Sequence, residues 1–452
     1  MSDPAPIGPS SKRPPLLRAA ATTYVARIGF AVLSFASVLI TARVLGAEGR
    51  GSIAFLTMVG FFTAQLATLG IFQADANFAA REPHLTRSLA GTSLWLSAIF
   101  GSIAAGIVAL LIAIFPAVGA GSDAALVALV LASIPVLVLQ PCLDQLLRAH
   151  YHPSLANTGM LVLPVTNVIT NGVLALLGVL TVSTAVFSWV GGWTLSTIVL
   201  AIGVSRRLDG FGRFDPKLAR RMLGFGIKAY TARVLLLGNY RMDTWLLGGI
   251  AGPTQVGHYS IAVAWVEMLF FLPTAVVLAQ RPDLVRATPA AAERSAALAT
   301  RATILITLGL AAAMIALAPF LCVTVFGEEF RDSIEMMRIL VIGVFGIIAL
   351  KLLGNALTAQ RKPMLETAAA AAAFVVILAL DILLIPEHGG LGAAIASAIG
   401  YSVGGIAVAL IFTRALNGRL RDLLPHIRDV RWLRNRLRRR VAEPTEPPAP
   451  SM

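Results

Sequence analysis

The chain is predicted to be an all-α integral membrane protein of twelve transmembrane helices, arranged as two six-helix repeats that run parallel to each other. Three observations predict this: apolar windows long enough to span a bilayer occur along the whole length, a residue pattern returns about 206 positions later, and Lys and Arg are distributed to one side.

Of the 452 residues, 57% are hydrophobic and 13% charged, with a mean hydropathy of +0.79. Soluble domains are about 25% charged. A hydrocarbon layer of about 30 Å takes about 20 apolar residues in a helix. The windows that meet this run over 19–45, 52–78, 88–115, 124–147, 155–179 and 185–204, then 224–249, 257–279, 299–326, 337–359, 364–385 and 390–413. No short apolar segment with a cleavage site precedes Ala19, so the first span reads as an uncleaved anchor. Pro135, Pro141, Pro164 and Pro273 fall inside spans and are candidate bends. Cys142 and Cys322 lie in apolar segments and read as small buried hydrophobes.

The repeat starts from TYVARIGF…ARVLGAEGRG, residues 23–51. Adding 206 carries Tyr24, Ala26, Arg27, Gly46 and Gly51 onto Tyr230, Ala232, Arg233, Gly252 and Gly257. Further on, LLRAHYHPSL aligns with ALTAQRKPML at an offset of 210, pairing Leu147, Ala149, Pro153 and Leu155 with Leu357, Ala359, Pro363 and Leu365. Two matches in the same order, differing by four positions, indicate a duplicated unit of about 206 residues.

With the N-terminus cytoplasmic, that side receives 28 of the 37 Lys and Arg residues, while the opposite side keeps Arg50, Arg331 and, if the tenth span starts late, Arg338. Both termini are therefore expected inside. Residues 1–18 are polar and proline-rich and are expected to be disordered; the lobes span 19–204 and 224–415, joined by the cytoplasmic linker 205–223. The basic tail 416–452 places Ile427, Val430, Leu433, Leu437 and Val441 at helical spacing, so 425–441 reads either as an amphipathic helix on an anionic leaflet or as a solvated basic tail. Since the net charge of +14 arises largely from these arginines, it does not point to nucleic acid.

Chemistry is sought among charges inside the spans, because an ionisable group at bilayer depth costs several kcal/mol unless it is paired or faces water. They are Arg27, Arg43, Asp75, Asp144, Lys228, Arg233, Arg241, Asp243, Glu267, Lys351 and Asp381. Asp144 and Arg148, spaced i,i+4, suit a local ion pair, and Lys228 and Asp75 lie near enough to a span end to reach the interface. Arg27 lies nine residues past Arg18, about 13 Å along the helix, and Arg233 repeats that depth. Both are assigned to an anion, with Arg43, Arg241 and Lys351 as further candidates; Asp243 and Glu267 are candidates for coupling or ion pairing, Glu267 being placed to pair with Arg233. The six histidines are scattered, His150 and His152 have no acidic ligand nearby, and neither a metal, a cofactor nor a catalytic constellation is assigned.

ITARVLGAEGRGSIAFLTMVGFFTAQLATLGI, residues 40–71, resembles the start of Wzx-type polysaccharide flippases, with Arg43, Leu45, Gly46 and Gly51 at the family's positions. Residues 239–277 resemble the seventh and eighth helices of the same family through Asp243, Gly252, Gly257 and Tyr259, while QRPDL departs by placing its proline at Pro282 behind an added arginine. The resemblance covers about residues 20–415 and is shared with the wider superfamily that includes MATE exporters. It implies a V-shaped pair of six-helix lobes in the bacterial cytoplasmic (inner) membrane, alternating between inward-open and outward-open states. The implied substrate is a polyprenyl-diphosphate-linked glycan, with membrane lipids, a polysaccharide polymerase and glycosyltransferases as partners. Arginine suits a diphosphate because its planar fork gives bidentate hydrogen bonds. A MATE-type cation-coupled drug exporter would want an acid in the first span, and Ala19 to Leu45 contains none. The loop AAREPHLTRSLAG lacks the motif of major-facilitator carriers, and a non-transporting scaffold for polysaccharide synthesis leaves the charges within spans unexplained.

Overall fold

A computed structural model describes residues 16–119 and 121–424, with the side chains at 16–21, 117–118, 228–229, 231–233 and 236 outside the described part. The tail helix expected over 425–441 and most of the N-terminal segment lie outside the described residues. Among the described residues the fold is helical and contains no strand. The helices are α1 (Leu16–Ala67), α2 (Ile71–Arg81), α3 (Thr86–Ile114), α4 (Ala124–Ala149), α5 (Pro153–Leu176), α6 (Val182–Arg207), α7 (Pro216–Met268), α8 (Phe271–Arg286), α9 (Pro289–Pro319), α10 (Ser333–Ala359) and α11 (Pro363–Leu416). Local sequence sets several starts. Asp123 caps α4 by accepting from the Ala125 N–H at 2.7 Å, Thr181 and Thr184 form a capping box on α6, and proline opens α5, α9 and α11.

Nine candidate membrane spans occur among the described residues, against the twelve expected. Three of the nine are 46, 50 and 54 residues long, far more than one crossing takes. Each contains a single glycine with non-helical backbone: Gly46 (φ 66°, ψ −169°), Gly252 (φ 82°, ψ 175°) and Gly389 (φ 54°, ψ −132°). At these places one residue in a region open only to glycine replaces the loop that the sequence reading expected. The helices run on through Pro135, Pro141 and Pro164, and Pro273 falls in the first turn of α8. An internal proline removes one hydrogen bond but keeps a helical φ, whereas Gly46 and Gly252 reverse φ altogether.

The duplication is visible in the backbone. Gly46 and Gly252, 206 apart, share one unusual conformation. At the offset of 210, α4 and α10 end at Ala149 and Ala359, and α5 and α11 begin at Pro153 and Pro363. Between them stand Tyr151 (φ 59°) and Arg361 (φ 61°), both left-handed without being glycine. The His152 N–H returns to the Leu147 carbonyl and the Lys362 N–H to the Leu357 carbonyl, each at 2.9 Å, so both helices close with the same Schellman hydrogen bond.

The chain forms two compact units, one of residues 1–237 with 244–257 and the other of 238–243 with 258–452. In unit 1, Asn157 and Asn171 on α5 donate to Thr23 and Ser37 on α1 at 3.4 and 3.2 Å, which fixes the register of these two parallel helices. Around the first joint, a Cβ on Gly51 would strike the Pro253 carbonyl and one on Gly257 would strike the Ala47 carbonyl. Ala47 and Pro253 are themselves 206 apart, so the two contacts are reciprocal copies. Asp144 and Arg148 form the expected ion pair at 2.8 Å. Asp75 does not reach an interface: it is fully buried in the core of unit 1, because α2 packs that face against α3 and α4. Unit 2 has its own core around Ile347, Leu353, Leu357, Ile377, Val408 and Phe412.

Candidate functional site

The residues that unit 2 brings together come from four helices. On α7, Tyr240 and Asp243 are one turn apart before the Gly252 joint, and Tyr259, Val263, Val266 and Glu267 follow after it at helical spacing. With Phe270, Leu340 of α10 and Tyr401 of α11 they line a single cleft.

An Arg241 guanidinium nitrogen lies 3.1 Å from Oε1 of Glu267, which lines the cleft, with side-chain exposures of 33% and 37%. Both side chains of this pair are partly exposed. Lys351 on α10 donates from Nζ to Thr274 Oγ1 at 3.0 Å and stands 5.2 Å from the centre of the Phe270 ring. The acid within Coulombic reach of it is Glu267, the partner of Arg241.

The Tyr259 hydroxyl donates to Asp243 Oδ2 at 2.5 Å, and the Ser397 hydroxyl donates to the same oxygen at 3.2 Å. Asp243 is 3% exposed. Asp381 on α11 is completely buried, lies within Coulombic reach of Asp243, and has both carboxyl oxygens without a hydrogen-bond partner. Two neighbouring buried acids, one of them bare, are costly unless a proton or a cation is shared between them. The Tyr401 hydroxyl donates to the Asn239 carbonyl at 3.0 Å and the Asn239 amide donates to the Ala370 carbonyl at 3.0 Å, which ties α7 to α11 beside the acids.

The sequence pattern of the polysaccharide biosynthesis protein family matches residues 40–335, more than half of the chain. The chain belongs to that family. No curated protein matches it by sequence. Among solved structures, it is similar to the lipid II flippase MurJ in an inward closed conformation (TM-score 0.73, 14% identity, 94% of each chain covered). It is also similar to a MATE multidrug-resistance transporter of the MOP superfamily in an inward-facing conformation (TM-score 0.67, 17% identity, 86% of this chain and 94% of that one). A third similar structure is a MOP superfamily transporter from Pyrococcus furiosus (TM-score 0.60, 16% identity, 89% and 95% covered). At these identities the likeness establishes the fold: this member of the polysaccharide biosynthesis family is a multi-pass membrane protein with the fold of those transporters.

In this family member, Arg241, Lys351, Asp243 and Glu267 come together as one site. Arg27 is exposed on α1 and makes no hydrogen bond or ion pair with a described residue, and Arg43 is exposed on the same helix. Arg233 lies on α7 with its side chain outside the described residues, and the ion pair that Glu267 makes is with Arg241. Sequence reasoning passed over Tyr240, Tyr401, Ser397 and the role of Asp381. One signal was available: the chain has only six tyrosines, and Tyr240, Tyr259 and Tyr401 all line this cleft.

Proposed function

We propose that this protein is a flippase, a transporter and not an enzyme, which moves a polyprenyl-diphosphate-linked glycan across the bacterial cytoplasmic membrane by alternating access. The chain crosses twelve times, with the long helices divided at Gly46, Gly252 and Gly389, both termini cytoplasmic, and the linker 205–223 joining the lobes 19–204 and 224–415. Arg241 and Lys351, with Arg27, Arg43 and Arg233, are its contacts for the anionic head group. Asp243 with Asp381 holds the coupling cation, and Glu267 occupies Arg241 until substrate arrives. Membrane lipids surround it, and the polymerase and glycosyltransferases of polysaccharide synthesis are its protein partners.

The observation that carries this reading is the charged cluster of unit 2 in a member of a polysaccharide biosynthesis family. Two partly exposed cations, Arg241 and Lys351, occur near two buried acids, and both oxygens of Asp381 lack a hydrogen-bond partner among the described residues. The test is deletion of the gene followed by lipid analysis. Loss of a flippase accumulates a polyprenyl-linked oligosaccharide on the cytoplasmic face, and complementation clears it. Unchanged lipid pools with altered drug sensitivity would instead identify a cation-coupled exporter, which the acid pair also suits.

A further inference from the structure

Unit 1 holds an acid that the proposed function does not use. Asp75 on α2 is 0% exposed, within the apolar cluster of Ile71, Ala74, Leu89, Leu139 and Leu143. Its two carboxyl oxygens each lie 2.9 Å from the Ser93 hydroxyl of α3. Cys142 of α4 faces it from the other side, and Ser97, one turn beyond Ser93 and 1% exposed, has a hydroxyl with no hydrogen-bond partner. Among the described residues no cation pairs with Asp75.

The remaining ionisable groups of the elements around it are engaged elsewhere or point outward. Arg81 of α2, His84 of the turn Pro83–Leu85 and Arg87 of α3 are exposed. On α4, Asp144 and Arg148 bind each other. On the early part of α7, Arg221 pairs with Glu82 and the Tyr230 hydroxyl donates to the Gln65 carbonyl, while the Lys228 side chain lies outside the described residues. Among the described ionisable groups, Cys142 is the one hydrogen-bonded to Asp75.

Counting donors decides the protonation state. An ionised carboxylate offers about four acceptor positions, against one hydrogen from the Ser93 hydroxyl and one from the weakly donating Cys142 thiol. A neutral carboxylic acid needs one donor and one acceptor, and Ser93 is both. An ionised Asp75 at this place would cost several kcal/mol. The helix that carries it is a short one set off by a joint: α2 is an 11-residue helix joined to α1 through Leu69 (φ 43°) and Gly70 (φ 78°), both left-handed. A Cβ on Gly70 would collide with the Gly226 backbone, and Phe72 and Phe78 of α2 meet Tyr230 and Phe225 of α7, so α2 and its joint rest on α7 as well as on α3 and α4.

We propose that Asp75 is a proton-binding site: it holds one proton while α2 is docked against α3 and α4, and gives that proton to water when α2 undocks. The site stands independently of the reading of unit 2. Because undocking releases one proton, rising pH favours the undocked state by up to about tenfold per pH unit.

Cys142 is a built-in reporter. In full-length protein in lipid nanodiscs carrying Cys322→Ala, Cys142 is the only thiol, and its alkylation by a membrane-permeant maleimide is timed across pH in the parent and in Asp75→Asn. Alkylation proceeds from the undocked state, where Cys142 no longer touches residue 75 and forms its thiolate alike in both proteins, so their ratio isolates the acid. The ratio is expected to climb with pH by up to about tenfold per unit; a ratio that stays flat overturns the proposal. Infrared spectra at neutral pH should show a protonated-carboxyl C=O band in the parent that Asp75→Asn lacks. If the Asn variant does not fold, Ser93→Ala is compared with the parent: a carboxyl band shifted by loss of the hydroxyl supports the proposal, and no responding band means that Asp75 is ionised.

Discussion

Ser37 with Asn171 in unit 1 and Asp243 with Asp381 in unit 2 occupy equivalent places in the duplicated sequence, at offsets of 206 and 210. In the first pair an amide donates to a hydroxyl at 3.2 Å. In the second, two acids share the place, and Tyr259 and Ser397 satisfy only Asp243. The helix contact was duplicated and its chemistry was not. The first copy closes a helix pair with neutral groups, whereas the second carries charge that packing alone does not require. A cost kept in one copy and absent from the other points to function, since the neutral copy demonstrates a cheaper way of closing the same contact.

The largest effect is expected from making the second pair a copy of the first. Asp243→Ser with Asp381→Asn should abolish glycan export while leaving thermal stability equal to or above that of the parent, because two crowded buried acids disappear. Export is read by complementation of a deletion strain and stability by thermal unfolding of purified protein. Export at the parental level would remove the acids from the mechanism. An intermediate loss fits a coupling energy of about 1–3 kcal/mol, or about 5–150-fold.

The cations offer the next contrast, since among the described residues Arg27 makes no ion pair while Arg241 pairs with Glu267. Arg27→Ala should eliminate most export at normal protein level, and Arg27→Lys should keep part of it, because lysine gives the charge without the fork. Arg241→Ala should lose export and also some stability, as Glu267 is left without its cation. Adding Glu267→Gln should restore the stability and not the export. Parental export from Arg27→Ala would show that the arginine only covers a helix face.

The fold was legible because hydropathy and arginine bias are summed over hundreds of residues, and a few substitutions do not blur them. The Asp144–Arg148 pair was legible because i,i+4 spacing is local. The site was legible only in part. Asp243 and Glu267 stood out as charges in apolar helices, but the pairing of Glu267 with Arg241 depends on how α7 resumes after Gly252, which spacing along the chain does not encode. Asp75 was misplaced for a related reason. Its distance from a span end is readable, but the direction in which α2 turns its face after the Leu69–Gly70 joint is not. Tyr401 and Ser397 carry no charge and sit on α11, more than 130 positions from the α7 residues they contact, so only tertiary structure selects them.

The joints at Gly46 and Gly252 allow the duplication to be tested by symmetry. Gly51→Ala and Gly257→Ala each push a Cβ into a carbonyl of the opposite segment, Pro253 in one case and Ala47 in the other. Each should cost about 1–3 kcal/mol, the usual scale of overpacking, and the two should agree within experimental error in thermal unfolding. A large difference would mean that the two halves of the contact bear unequal loads.

The smallest effect belongs to the second duplicated joint. Tyr151 and Arg361 end their helices in the left-handed region, where an L side chain costs about 1–2 kcal/mol. Glycine relieves that strain but widens the unfolded ensemble, which returns about 0.5–1 kcal/mol. Arg361→Gly should therefore stabilise the protein by roughly 1 kcal/mol or less. Tyr151 is also engaged by a neighbour, so Tyr151→Gly forfeits a contact along with the strain, and its gain should be smaller or absent. Both variants should export normally, because the Schellman hydrogen bonds to Leu147 and Leu357 come from backbone groups that neither substitution removes. Thermal unfolding of the two single variants and the double variant checks the ranking. A fall in stability for Arg361→Gly would show that its side chain holds the joint and that the shared backbone conceals different packing in the two repeats.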